Sequence, residues 1–288
     1  MAYSIGVQRR SGARDYTKRS FFYLILILYA VITAIPFVWS ILTSFKSLPE
    51  SSRAVPTGLP LHWTLAAWTG SYGVLAGGSF PRWFLNSIIV AALVTLGNLF
   101  FDSLAGYAFA RLRFPGRNLL FYLVLGTMMV PAAMTLLPIF VILVKMNWIN
   151  SYQGLAVPFM VTAFGIFLMR QFFMSFPMEL EEAARVDGLS VFGIYWRIAL
   201  PLAKPALATL GILQFQGNWD SFLMPSFIAS TENMYTLPVG LANYSFTYLT
   251  YWPQLMAGSM IVILPILVLY IFLQRYFIEG IARSGVKG

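Results

Sequence analysis

Long runs of apolar residues, separated by short polar breaks, dominate the sequence. A helix needs about 20 mostly apolar residues to cross a bilayer, and six runs meet that length. The predicted spans are Phe21 to Phe45, Phe84 to Ala110, Leu119 to Val144, Tyr152 to Met174, Pro201 to Ala229 and Met256 to Phe277. The pattern predicts an all-α integral membrane protein with six transmembrane helices.

Prolines fall inside several of these runs and predict interruptions. Proline removes a backbone donor and kinks a helix, which a membrane protein tolerates where neighbouring helices or a water-filled cavity satisfy the freed groups. The positions are Pro36, Pro131, Pro138, Pro158, Pro225 and Pro265. Each is equally compatible with a packing kink and with a functional break.

Composition agrees with the membrane class. Of 288 residues, 59% are hydrophobic and 10% are charged, whereas an ordinary soluble domain has about 25% charged residues. Basic residues ahead of the first run resemble the start of a signal peptide. However, the run from Phe21 to Phe45 is too long for one and lacks an Ala-x-Ala cleavage pattern, so we predict a retained helix.

The distribution of the basic residues predicts orientation. If the N-terminus is inside, only four of the 19 lysines and arginines fall in outside segments, namely Lys46, Arg53, Arg82 and Lys145. The positive-inside rule then predicts a multi-pass protein of the inner, cytoplasmic membrane with both termini in the cytoplasm. The net charge of +9 is thereby explained without a nucleic-acid partner.

Several chemistries are excluded by residue content. The chain has no cysteine and one histidine, His62, so disulfides and histidine-rich metal sites are not expected. No paired carboxylates or Ser-His arrangement indicate catalysis. None of the five lysines follows a glycine, as a phosphate-binding loop requires. We predict no catalytic residue, no metal ligand and no enzyme activity in this chain.

A polar insertion at residues 175–201, between the fourth and fifth predicted spans, is the most informative segment. Pro177 suits a first helical turn, and the acidic residues that follow suit the positive end of a helix. Leu180, Ala183 and Ala184 would form a small-residue face that another protein can approach. Gly188 is expected to end this helix.

A second short helix is predicted after Gly188. Ser190 is a suitable cap, and an apolar stripe at helical spacing follows at Val191, Ile194, Tyr195 and Ile198. Physically, the insertion is either a docking knob for another protein or an amphipathic hairpin that links two spans at the membrane surface.

The spacing Glu182-Ala183-Ala184, three residues, Gly188, nine residues, Ile198, one residue, Leu200-Pro201 resembles the EAA loop of ABC importer permeases. The stretches AGYAFARLRFPGR (105–117), TLPVGL (236–241) and SGVKG (284–288) look like the maltose-type carbohydrate permease branch. The resemblance runs from about Asn86 to the end. It implies a type I importer permease in which the first short helix of the insertion is a coupling helix.

The resemblance assigns residues and partners. It places ATPase coupling at Glu181, Glu182, Ala183, Ala184, Asp187, Gly188, Ile198, Leu200 and Pro201, and an ATPase-contacting tail at Ser284, Gly285, Val286, Lys287 and Gly288. It implies a homologous second permease, two ATPase subunits that bind ATP and Mg, and an extracytoplasmic solute-binding protein. This chain would hold no cofactor and would import a carbohydrate, polyol or glycerophosphate by alternating access.

The chain divides accordingly into a cytoplasmic tail (1–20), a first helix with its outer loop (21–83), a permease core (84–279) and a C-terminal tail (280–288). Within the core, the polar cluster Asn218, Trp219, Asp220 and Ser221, together with Asn86, is a candidate translocation pathway. A structural hydrogen bond is the alternative for Asp220, where related permeases often carry asparagine.

Charged residues inside spans are costly and often functional, which singles out Asp102 as well as Asp220. If both carried ions, the chain would instead be an ion-coupled secondary transporter. A structural role is favoured for Asp102. The predicted outer loops are rich in aromatic residues, and the candidates for contact with a binding protein are Tyr235, Tyr244, Tyr248 and Trp252. An interfacial aromatic belt is the alternative.

Overall fold

The computed structural model describes residues 13–71, 73–76, 79–245 and 249–285. Within these residues, one isolated bridge pairs Ser245 with Thr250, and everything else is helix, turn or loop. The predicted all-α class is confirmed.

The helices alternate between long spans and short connecting pieces. The first part of the chain contains α1 (Ala13–Ser44), α2 (Leu48–Ser51), α3 (Ala66–Thr69), α4 (Phe80–Arg111), α5 (Arg117–Thr127), α6 (Ala132–Lys145), α7 (Tyr152–Ala156) and a 3-10 turn (Val157–Phe159). The second part contains α8 (Ala163–Met174), α9 (Glu179–Val186), α10 (Val191–Ile194), a π-helical turn (Tyr195–Ala199), α11 (Leu200–Leu202), α12 (Lys204–Trp219), α13 (Leu223–Ile228), a 3-10 turn (Glu232–Met234), α14 (Leu237–Ala242) and α15 (Trp252–Gly285).

Three helices are each long and apolar enough to cross a membrane: α1, α4 and α15. Three further candidates are pairs of helical segments that meet the same criterion together but are bent at a short break. The bends are 99° between α5 and α6, 42° between Tyr152–Phe159 and α8, and 77° between Val191–Leu202 and α12. Counting each bent pair once gives six spans in the described part of the chain, as predicted.

Some of the prolines lie where a helix is interrupted, and others lie inside continuous helices. Pro131 lies between α5 and α6 in extended conformation, with φ −60° and ψ 134°, and proline disfavours helix in the residue before it. Helices α1, α6 and α15 continue through Pro36, Pro138 and Pro265, so these three prolines lie inside helices, as the packing-kink alternative expects, and do not break them. The predicted fifth span, which extends to Ala229, is too long. Helix α12 ends at Trp219, and a non-helical segment separates it from α13.

Helix α4 is the centre of the molecule and packs against α8 and α12. Two glycines permit the approach of α8 and the turn that precedes it. A Cβ built on Gly106 would lie 2.7 Å from the Met169 Cβ, and one on Gly97 would lie 2.5 Å from the Met160 Cγ. Both distances are below normal contact, so a larger residue would push these elements apart.

Helix α1 stands apart from this core and packs along α15. None of the residues in its most apolar window is buried within the chain, which leaves that surface for lipid or another protein. The exposed helix α1 thus lies at the start of the described chain, whereas the core is built from the later helices α4, α8 and α12.

A buried carboxylate organises the loop after α1. Glu50 accepts hydrogen bonds from the Leu61 N–H and the Thr57 hydroxyl, both at 2.8 Å, and the Lys46 ammonium donates to the Thr57 carbonyl. The Leu61 N–H is the largest cause that lowers the pKa of Glu50, with Thr57 and the Lys46 charge adding to it and burial opposing it.

Candidate functional site

The 175–201 insertion folds as two short helices separated by a sharp turn. Helix α9 has no side-chain cap at Met178, but its first turn carries Glu179, Glu181 and Glu182, whose charges stabilise the positive end of a helix. Pro177 lies two residues before the helix rather than within it. The prediction of a short acidic helix here is confirmed.

Gly188 terminates α9 through its backbone conformation. Its φ is +82°, in the left-handed region that glycine adopts without steric cost. The Gly188 N–H donates to the Arg185 carbonyl and the Leu189 N–H to the Ala184 carbonyl, both at 3.0 Å. A Cβ at Gly188 would meet no atom within 4 Å, so the requirement for glycine comes from φ and not from close packing.

The residues of α9 divide between two faces. Glu181 and Ala184 are each 3% exposed and face the rest of the chain. Glu182, Ala183 and Asp187 are exposed, and Val186 is 89% exposed. The predicted partner face of Leu180, Ala183 and Ala184 is therefore wrong in one member, because Ala184 packs inward, and Glu181 is likewise inaccessible to another protein in this structure.

A buried ion pair holds α9 against α4. The Arg111 Nε lies 3.1 Å from the Glu181 Oε1, and each side chain is 4% exposed. Arg111 also donates from Nη2 to the Phe176 carbonyl at 2.6 Å. Arg185, on the exposed side, lies 3.9 Å from the other Glu181 oxygen. The role of Arg111 could not be predicted from the sequence, because no local pattern links two residues this far apart in the chain.

The second half of the insertion is fixed by its own cap and by α4. The Ser190 hydroxyl accepts from the Gly193 N–H at 3.2 Å, as predicted for a cap. Ile194 and Tyr195 are buried, whereas Val191 is exposed, so only part of the predicted stripe packs inward. The Tyr195 and Ser103 hydroxyls are hydrogen-bonded at 2.8 Å.

The three remaining motif positions lie within a π-helical turn or directly after it. Ile198 lies within it and is half-buried, and Leu200 and Pro201 begin α11. In a regular α-helix, the Pro201 ring would clash with the Arg197 carbonyl four residues earlier. The wider π turn accommodates the proline, and such turns are frequent at functional sites.

The candidate pathway residues at the end of α12 point in different directions. Trp219 is 1% exposed, donates to the Val262 carbonyl at 3.0 Å and stacks on Phe215. Asp220 is exposed at the helix end. Asn218 and Ser221 line a small cavity of about 60 Å³ with residues of α4, α7 and α13. Trp219 therefore supports the core, while its three neighbours retain accessible surface.

Asn86, the fifth pathway candidate, is fully buried and fully bonded. Its amide donates to the Asn233 and Tyr235 carbonyls at 2.8 and 2.9 Å, and its oxygen accepts from the Tyr152 hydroxyl at 2.6 Å. With both ends of the amide engaged, Asn86 does not line an accessible surface in this structure. It instead joins α4 to α7 and to the segment before α14.

The single acidic residue of α4, Asp102, is buried and hydrogen-bonded. Asp102 has no exposed surface, and its two oxygens accept from the Thr162 N–H at 2.9 Å and hydroxyl at 2.8 Å. These contacts agree with the structural role favoured from the sequence.

Of the four aromatic candidates for contact with a binding protein, Trp252 is 42% exposed. Tyr235 and Tyr244 are half-buried against the core, and Tyr244 packs edge-on to Trp83 at 6.1 Å. Burial is the main cause that raises the pKa of Tyr244, and the Glu232 charge adds to it. Tyr248 lies outside the described residues.

The tail is described in part. Ser284 and Gly285 end α15, and Val286, Lys287 and Gly288 lie outside the described residues. Among the residues that the structure does describe, no group of three histidine, cysteine or acidic side chains could hold a metal ion.

Comparison with known proteins gives a consistent result. The family model of the binding-protein-dependent transport system inner membrane component matches residues 102–283. The arabinooligosaccharide transport permease AraQ of Halalkalibacterium halodurans is 38% identical over 259 residues, which cover 90% of this chain and 93% of that protein. The sn-glycerol-3-phosphate transport permease UgpE of Yersinia pestis is 37% identical over 207 residues, covering 71% and 74%.

Solved structures share the fold. A chain of a bacterial ABC transporter involved in the import of the acidic polysaccharide alginate matches with a TM-score of 0.79 and 24% identity, covering 92% of this chain and 98% of that one. A chain of an alginate transporter in complex with an alginate pentasaccharide-bound periplasmic protein matches with a TM-score of 0.64 and 14% identity, covering 90% and 93%.

Proposed function

Because the chain belongs to the family of binding-protein-dependent transport system inner membrane components, we propose that it supplies half of the solute pathway of an ATP-driven importer. A homologous permease supplies the other half, two ATPase subunits bind ATP and Mg, and an extracytoplasmic solute-binding protein delivers the solute. Both termini lie in the cytoplasm, in keeping with the basic residues.

One observation supports the docking role of the insertion above the others. Helix α9 is fixed on its inner side by Glu181 and Ala184, and it presents Glu182, Ala183 and Val186 outward. An exposed valine beside an alanine on a charged protein surface suits a complementary groove, because small and apolar residues permit close approach and gain from burial. We assign this outer face to the ATPase subunit.

The solute is proposed to be a carbohydrate or a related polyol phosphate. The two relatives named above transport arabinooligosaccharides and sn-glycerol-3-phosphate. Asn218, Asp220 and Ser221 retain exposed surface at the end of α12, and carboxylates, amides and hydroxyls form hydrogen bonds with sugar hydroxyls. These three residues are the proposed contribution of this chain to the pathway.

Alternating access follows from this assembly. ATP binding closes the ATPase pair, the docked helices move with it, and the cavity between the two permeases opens outward. Hydrolysis resets the inward-open state. The other motif residues lie in the turn after the docked helix and around the π-helical turn, and they are proposed to support that helix. They are Asp187, Gly188, Ile198, Leu200 and Pro201. The C-terminal tail, Ser284 to Gly288, is proposed to contact the ATPase subunits.

The docking face is tested by enlarging a small residue on it. Ala183→Trp should leave the chain inserted in the membrane but reduce the ATPase subunit that co-purifies with it. The matched control is Ala66→Trp, which adds the same bulk at an exposed position of the segment between α1 and α4. Equal recovery of the ATPase subunit with both variants would contradict the proposal.

A further inference from the structure

One face of α4 carries three contacts to the insertion and its flanking helix. Ser103, Tyr107 and Arg111 are spaced four residues apart, so they lie along one side of the helix. Ser103 bonds to Tyr195, and the Tyr107 ring lies 5.3 Å from the Tyr195 ring and 5.4 Å from the Phe173 ring. Arg111 completes the stripe through its ion pair with α9.

Arg111 is the only one of the three that carries a charge, and it contacts both α9 and the loop that precedes it. Its Nε faces the Glu181 carboxylate, and its Nη2 donates to the carbonyl of Phe176, which precedes α9. The planar guanidinium offers several donors in fixed directions, which a lysine ammonium does not. Removing one partner of a buried pair leaves an uncompensated charge, so the contact resists separation.

We propose that Arg111 and Glu181 are positioning residues that transmit the displacement of α9 to α4. This inference rests on the proposed docking of α9 to an ATPase subunit. Along the backbone, α9 reaches the spans through the loop 175–178 on one side and the Gly188 turn on the other. The ion pair bypasses both and ends on the helix that packs against α8 and α12.

The adjacent acids of α9 accordingly have different roles. Glu182 is exposed and belongs to the docking face, whereas Glu181 is buried and points to α4. Glu181 thus keeps its predicted role in ATPase coupling, but through its inward contact with Arg111 rather than through the docking face. A substitution at Glu181 should therefore impair transmission while sparing docking.

A double-mutant cycle tests the link in the intact complex, purified through a tag on this chain and placed in proteoliposomes. The variants are Arg111→Gln, Glu181→Gln and both together. We expect each single variant to retain its ATPase subunits but to lose about fivefold or more of the stimulation of ATP hydrolysis by the binding protein, a typical allosteric coupling factor. The double variant should be no worse than either single one, because the two residues act through each other.

Arg113→Gln is the matched control, since Arg113 is an exposed arginine two residues beyond Arg111. It should keep wild-type stimulation. Wild-type stimulation in Arg111→Gln would overturn the link, and so would loss of the ATPase subunits from Glu181→Gln. Absence of ATPase subunits from the wild-type complex would instead overturn the proposed function on which the link depends.

A distance measurement keeps the test decisive if the polar variants fold poorly. The apolar pair Arg111→Ala with Glu181→Ala removes both charges together, so that neither is left buried without its partner, and leaves no side chain long enough to bridge α9 and α4. The chain has no native cysteine, so spin labels can be attached at Glu179→Cys in α9 and Phe101→Cys in α4. The distance between the two labels then reports the position of α9 relative to α4. In the otherwise wild-type protein, this distance should not change when Mg and a non-hydrolysable ATP analogue are added. In the apolar-pair variant, the same addition should change the distance by about 2 Å or more. An unshifted distance in the apolar pair overturns the link.

Discussion

Asp102 accepts two hydrogen bonds from Thr162, one from the backbone N–H at 2.9 Å and one from the hydroxyl at 2.8 Å. Thr162 caps α8, and its hydroxyl oxygen also accepts from the Gly165 N–H and the Gln214 side chain at 3.1 and 3.0 Å. The carboxylate of α4 therefore holds the break in the fourth span in place and links it to α12.

Asp102→Asn should destabilise the protein by about 1–3 kcal/mol, the cost of leaving a buried polar group unsatisfied. The asparagine oxygen can accept from one Thr162 donor, but its amide would face the other. The Thr162 oxygen already accepts two hydrogen bonds and cannot take a third readily. Thermal unfolding of the detergent-solubilised chain measures the loss, with Asp220→Asn as an exposed control that should not lose stability.

A different outcome would revive the ion-coupled alternative. If Asp102→Asn unfolded like the wild type but abolished uptake, the carboxylate would act as an ion carrier rather than as a structural acceptor. The observed geometry disfavours this, because both oxygens of Asp102 are occupied by Thr162.

The effect of a substitution at Gly188 on stability is expected to depend only on the backbone conformation of this residue. Gly188→Ala should destabilise the insertion by about 1–2 kcal/mol, because a Cβ is disfavoured at its φ of +82°. Gly188→Asn should cost less, since asparagine adopts this region more readily. Hydrogen exchange of the α9 amides would measure the local loss.

Gly217→Ala is the matched control for this experiment. Gly217 lies in α12 with no atom within 4 Å of a built Cβ, and its φ is not in the left-handed region. The alanine should stabilise α12 by about 0.5–1 kcal/mol. Destabilisation of both helices by their alanines would mean that packing, rather than φ, governs Gly188.

Local features of the insertion could be predicted from the sequence because their causes are local. The Gly188 turn depends on one residue's φ, and the Ser190 cap depends on an N–H three residues away. The orientation of α9 could not be predicted in this way. Its inner face is set by Arg111, whose side chain is brought to Glu181 only by the packing of α4.

The spans show the same limit. Hydropathy located six apolar stretches, of which three are single long helices and three are bent pairs, but it could not distinguish Pro131, where the chain bends, from Pro138, which lies inside α6. Trp219 is a candidate for the pathway because it belongs to a polar, aromatic cluster, and Asn86 because its amide lies within a span and could face the solute. Their partners, such as the Val262 carbonyl for Trp219, come from distant segments and place both side chains in the core.

Glu50 predicts a pH dependence of stability. Its pKa is lowered in the folded protein, chiefly by the Leu61 N–H, so folding favours the charged form. Its contribution should be complete above the unfolded-state pKa, which is about 4.3, and should be lost as pH falls through the lower folded-state pKa. Thermal unfolding from neutral to acidic pH would follow this change.

The Glu50→Gln variant isolates that contribution. Its melting temperature should lie below that of the wild type at neutral pH, and the difference should shrink in the acidic range where the wild-type carboxylate becomes protonated. A difference that stays constant with pH would assign the effect of Glu50 to packing.

A substitution of Asp220 is expected to change stability and transport in different ways. Its carboxylate has no hydrogen-bond or ion-pair partner within the described residues and caps the C-terminal end of α12, where a negative charge is unfavourable. Asp220→Asn should therefore raise stability slightly, by about 0.5 kcal/mol, while changing the uptake of labelled oligosaccharides into cells. Glu232→Gln, an exposed acid elsewhere, should alter neither. Unchanged uptake in Asp220→Asn would remove this carboxylate from the solute pathway.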